Sequence, residues 1–73
     1  MKKGELLRHI RTSMGSNQSD FGMTSGIDQS NLAKYESGTR HISYDRLIES
    51  LGHLGIEVNV VCTYKGKQIH IID

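Results

Sequence analysis

The sequence predicts a mainly α fold, four short helices followed by a C-terminal β-hairpin. Three observations lead there. Up to about Leu54 the apolar residues recur at helical spacing. From Ile56 onward their period drops to two, the period of a strand. Glycines stand at the breaks, at Gly15, Gly26, Gly38 and Gly55, where a helix can end in a left-handed residue.

The first helix is expected over residues 3–14, with Leu6, Leu7, Ile10 and Met14 on one stripe. Asn17 is a good N-cap for a second, shorter helix from Gln18 to Ser25, anchored by Phe21 and closed by Gly26. Ile27 is expected to enter the core. Asp28 then caps a third helix over residues 29–37, with Leu32 and Tyr35 inward, and Gly38 stops it. Ser43 caps a fourth helix over residues 44–54, whose buried face is Leu47, Ile48, Leu51 and Leu54. Beyond Gly55, Ile56, Val58, Val60, Cys62 and Tyr64 share one face of a strand; Glu57, Asn59, Val61, Thr63 and Lys65 share the other. A second run, Gln68 to Asp73, follows Lys65-Gly66-Lys67 and completes a hairpin. A two-residue loop at Lys65-Gly66 sets Cys62 opposite Ile69 and Val60 opposite Ile71. A three-residue loop would set Cys62 against His70, so side-chain matching favours the shorter loop.

A chain of 73 residues makes one domain at most, and its core is marginal unless something reinforces it. Cys62 is the single cysteine, which rules out a disulfide framework and suits a reducing interior. His9, His41, His53 and His70 fall in four separate elements without paired-ligand spacing, so no metal and no other cofactor is expected. Self-association is the reinforcement that is left. No hydrolase elbow, Ser-x-x-Lys set or phosphate-cradling glycine loop occurs, and Cys62 lacks a motif partner, so no enzymatic activity is expected. No apolar run approaches the ~18 residues of a membrane span. Met-Lys-Lys-Gly-Glu at the start is not followed by an apolar signal core. The reading is a cytoplasmic chain without a membrane partner. The net charge of +1 divides into +2 over residues 1–46 and −1 over residues 47–73. That asymmetry permits nucleic-acid binding without demanding it.

Residues 16–38, SNQSDFGMTSGIDQSNLAKYESG, carry the functional signal. They hold two short helices joined by a tight turn built on Gly26, a position that needs a residue free of Cβ strain. Helices this short need the flanking helices for burial. Such a unit presents its second helix outward, with a width that fits the DNA major groove. Gln18 begins the second helix, Phe21 and Gly22 follow as an apolar and a small residue, and Gly26 and Ile27 mark the turn. Leu32 points inward from the next helix, and Glu36 and Gly38 stand near its end. With these residues the chain resembles the lambda-repressor/Cro-like, or xenobiotic-response-element type, helix-turn-helix proteins over roughly residues 4–55. Departures are Gly22 where Ala is usual, Ser16 in place of a common aliphatic residue, and Ile42 where Pro is frequent. Gly22 should weaken the second helix by up to ~1 kcal/mol relative to Ala.

The resemblance implies residue roles. Arg11 of the first helix is expected to pair with Glu36. Gln29 and Ser30 open the recognition helix, with Lys34 about one turn further on the same face. A Gln can bond an adenine edge and a Lys can donate to guanine acceptors. Gln18, Asn31, Thr39 and Arg40 are expected at phosphates, with His41 a weaker candidate. The partners implied are double-stranded DNA and a second copy of the chain. The dimer face is expected on the hairpin, at Ile56, Val58, Val60, Cys62, Ile69 and Ile71, because an isolated two-stranded hairpin is marginal in water. The expected division is a DNA-binding part over 1–55 and a dimerisation element over 56–73. The expected function is a dimeric autorepressor on an inverted-repeat operator. LGIEVNVVC also looks similar to the strand segment of HipB-type antitoxins, which hold a toxin protein and repress their own operon. That alternative stays open at this point.

Overall fold

The computed structural model describes residues 1–71, apart from the side chains of Val60, His70 and Ile71. The expected architecture is present: α1 (Lys3–Ser13), α2 (Gln18–Ser25), α3 (Gln29–Ser37), α4 (Tyr44–Gly52), then β1 (Val60–Tyr64) and β2 (Lys67–Ile71). The last two residues expected in the second strand, Ile72 and Asp73, lie outside the described residues.

The three caps read from the sequence each satisfy a backbone N–H that the helix itself leaves unpaired. The side chains of Asn17, Asp28 and Ser43 accept from the N–H groups of Asp20, Ser30 and Arg46. Gly26 and Gly38 end α2 and α3 with φ of 76° and 81°. α4 stops two residues earlier than expected, at Gly52, and closes through Leu54 N–H to Leu51 O and Ile56 N–H to Leu51 O.

The core joins all four helices. Leu7, Phe21, Ile27, Leu32, Ile42, Leu47 and Leu51 are buried, and Leu6, Ile10, Tyr35, Leu54, Ile56 and Val58 pack against them. Each side chain withdrawn fully from water contributes about 1.5–3 kcal/mol before entropy is counted. Three expectations change. Met14 leaves the apolar stripe and is 54% exposed, because α1 ends at Ser13. Ile42, noted only as a replacement for Pro, is a core residue. Ile56 and Val58 alternate like a strand but lie before β1 and cover the helical core. Cys62 is free and exposed. Ser25 and Ser50 are buried polar residues that no apolar pattern could announce; the Ser50 hydroxyl has no hydrogen-bond partner among the described residues.

The strands pair antiparallel with Val60 opposite Ile71 and Cys62 opposite Ile69, the register of the two-residue loop. Lys65 and Gly66 have φ of 50° and 76°. Positive φ at both loop residues suits the right-handed twist of a hairpin, although a lysine adopts it less readily than Asn or Gly.

Candidate nucleic-acid interface

α2 and α3 meet at an unusually close turn. A Cβ added to Gly22 would lie 2.6 Å from the Ile27 carbonyl oxygen. α4 braces that turn from behind. The Arg46 guanidinium donates to the Gly26 carbonyl at 2.5 Å, and the His53 ring lies 3.6 Å from where a Gly26 Cβ would be. Sequence reasoning missed Arg46, since a basic residue in the first turn of a helix carries no partner information.

The other end of α3 is tied to α1. Arg11 Nε and Nη2 donate to the two oxygens of Glu36, each at 2.8 Å. Its remaining Nη1 donates to the Ser16 carbonyl at 3.0 Å. The two side chains are 15% and 5% exposed, so this is a two-pronged and largely desolvated pair. Burial alone would raise the Glu36 carboxyl, but hydrogen bonds from Arg11 and Gln18 and the Arg11 charge hold it below the usual carboxylate range. The same contact raises Arg11 above its ordinary value. The Gln18 amide donates to Glu36 at 3.3 Å, so the residue expected at a phosphate also belongs to this internal network.

Between these two anchors α3 presents Gln29, Ser30 and Lys34 exposed to solvent. The Ser30 hydroxyl donates to the Asp28 carboxylate at 2.5 Å, which leaves its lone pairs to face a partner. That bond, with backbone donors behind it, holds Asp28 below the usual carboxylate range. Asn31 is half-buried, and its Oδ1 accepts from Arg40 Nη1 at 2.7 Å. Thr39 shares a 2.9 Å hydroxyl contact with Ser37, and Arg40 N–H donates to the Lys34 carbonyl. The loop after α3 is thereby folded back onto the helix. Asn31, Thr39 and Arg40 gather on one side of α3, Gln18 stands by Glu36, and Gln29, Ser30 and Lys34 line the outward face. Of the expected dimer residues, Ile56 and Val58 belong to the helical core, while Cys62 and Ile69 stand opposite each other on the hairpin and are exposed. The side chains of Val60 and Ile71 lie outside the described residues.

A short helix, a tight glycine turn and an outward helix held at both ends form a helix-turn-helix. A family model described as Helix-turn-helix matches residues 7–60, more than half of the chain, and the chain belongs to that lambda-repressor/Cro-like family of DNA-binding regulators. No curated protein and no solved structure matches it. No helix among the described residues is long and apolar enough to cross a membrane, and no group of three or more His, Cys, Asp or Glu side chains among them could hold a metal ion.

Proposed function

We propose that the chain is a dimeric transcriptional repressor that binds an inverted-repeat operator upstream of its own gene. The observation that carries this reading is the presentation of α3. Gln29, Ser30 and Lys34 point outward on a helix fixed by Arg11 and Glu36 at one end and by the braced Gly26 turn at the other. A reading helix held in this way loses little conformational freedom on binding. Gln29 and Lys34 read base edges, Ser30 adds an acceptor, and Gln18, Asn31, Thr39 and Arg40 serve the phosphates.

Residues 1–55 carry the reading unit and residues 56–73 the assembly element, which continues from Ile56 and Val58 on the helical core into the hairpin. Tyr64 and Ile69 are 60% and 50% exposed, and the two strands have only each other as hydrogen-bonded neighbours among the described residues. A second hairpin alongside supports both. Footprinting on DNA upstream of the gene tests the reading. It should show two protected half-sites with centres about one helical turn apart, roughly 34 Å.

The antitoxin alternative has one observation in its favour. Val61, on the other face of β1 from Cys62, is 46% exposed, so an apolar position stays open when the first face is covered. Co-expression with the product of the adjacent gene tests it: a purified complex that keeps its stoichiometry supports a toxin partner.

A further inference from the structure

The family match begins at residue 7, so Lys2 and Lys3 lie outside it. Resting on the DNA-binding reading above, we infer that these two lysines, together with Arg40, form an additional seat for the sugar-phosphate backbone of the same duplex.

The start of α1 lies against the end of α3. A Cβ on Gly4 would fall 2.0 Å from the Tyr35 carbonyl oxygen, so at Gly4 the two helices meet backbone to backbone. Beside this crossing a groove of about 420 Å³ is lined by the start of α1, the end of α3 and the loop that contains Arg40 and His41. Lys3 is not free to wander. Its Nζ sits 4.4 Å from the centroid of the Tyr44 ring, a cation–π contact that keeps the ammonium at the groove. Arg40 is held at the same groove by its bond to Asn31 and keeps its other guanidinium donors available. Two carboxylates, Glu5 and Glu36, also line it. Glu36 is neutralised by Arg11, so Lys2, Lys3 and Arg40 face one uncompensated acid.

Position gives this positive surplus its partner. A helix with its side chains is ~10–12 Å across and the major groove is ~12 Å wide, so a helix lodged there has a phosphate wall on each flank. Arg40 bonds directly to α3 and also lines the groove, which therefore lies beside the C-terminal end of the reading helix. A duplex backbone passing Arg40 meets Lys3 and Lys2 next.

The test is the salt dependence of binding by the full chain to a short duplex carrying its upstream sequence and to one of unrelated sequence. Each phosphate contact contributes about 0.9 to the slope of log K against log salt. The double variant Lys2→Gln/Lys3→Gln should lower the slope by about two per bound subunit on both duplexes and leave the footprint boundaries in place. Lys2→Arg/Lys3→Arg should keep the original slope, which separates charge from folding. An unchanged slope in the Gln variant, with the parent protein still binding, overturns the seat while the DNA reading stands. Failure of the parent protein to bind either duplex overturns both.

Discussion

The α-carbon of Gly22 approaches the Ile27 carbonyl so closely that a Cβ would sit 2.6 Å from its oxygen. Helix propensity favours alanine at this position by up to ~1 kcal/mol. The contact reverses that expectation, because the clashing atom is backbone within the helix-turn-helix. Gly22→Ala should therefore destabilise the domain, by about 1–3 kcal/mol as for other overpacked sites. Gly4→Ala, aimed at the Tyr35 carbonyl from 2.0 Å, should cost more. Thermal melts rank the two, and a raised midpoint for Gly22→Ala would contradict the packing described.

Breaking the Arg11–Glu36 pair strands one charge in a largely desolvated site. Glu36→Ala and Arg11→Ala should each cost about 3 kcal/mol, the low end for buried pairs because Arg11 keeps some solvent contact. An exposed pair would cost under about 1 kcal/mol. The pH dependence has a defined sign. Glu36 titrates lower in the folded than in the unfolded chain, so its ionisation stabilises the fold fully above the ordinary glutamate value. That contribution disappears as pH falls through the depressed folded value. The stability gap between the parent protein and Glu36→Gln should be widest near neutrality and close in that acidic window. A gap that stays constant down to pH 3 would contradict the linkage.

The proposed reading gives Asn31 and Arg40 separable roles. Arg40→Ala removes a cation and should lower the salt slope of binding by about one per bound subunit while weakening all sequences alike. Asn31→Ala removes an uncharged group together with the acceptor that orients Arg40, so it should weaken binding and leave the slope where it was. Equal slope losses in the two variants would assign Asn31 the wrong role.

Assembly through the hairpin predicts a particular truncation behaviour. Ile56 and Val58 cover the helical core, so a chain ending at Gly55 loses fold and interface together. A chain ending at Asn59 removes both strands and spares those two residues. It should stay folded, sediment as a monomer and bind the operator much more weakly. A full-length protein that sediments as a monomer at tens of micromolar, roughly where a dimer with better than micromolar affinity must appear, excludes this mode of assembly.

Most of the fold was legible where one residue's chemistry decides local geometry. Asn17, Asp28 and Ser43 announced three helix starts, and the apolar pairs Cys62–Ile69 and Val60–Ile71 announced the strand register. Legibility failed where tertiary packing decides. Ile56 and Val58 have the period of a strand, yet the nearby core claims them first. Ile42 follows no periodic run, so its burial shows only once the loop folds over α3. At the site, the resemblance named Glu36 and Arg11 but not the Gln18 amide that joins them, nor Arg46 behind the turn. Such contacts pair residues 18 and 20 positions apart, beyond any local spacing rule.

On the proposed reading, α3 discriminates sequence through Gln29 and Lys34. Selection of bound duplexes from a random pool, carried out with the parent protein and with Gln29→Ala, separates base reading from general affinity. The parent protein should enrich an inverted repeat with half-sites about 10 base pairs apart, centre to centre. Gln29→Ala should lose preference at one position in each half-site, with about 1–3 kcal/mol less affinity for the parent's sequence. No enriched sequence, or the same sequence enriched with equal strength by both proteins, would contradict it.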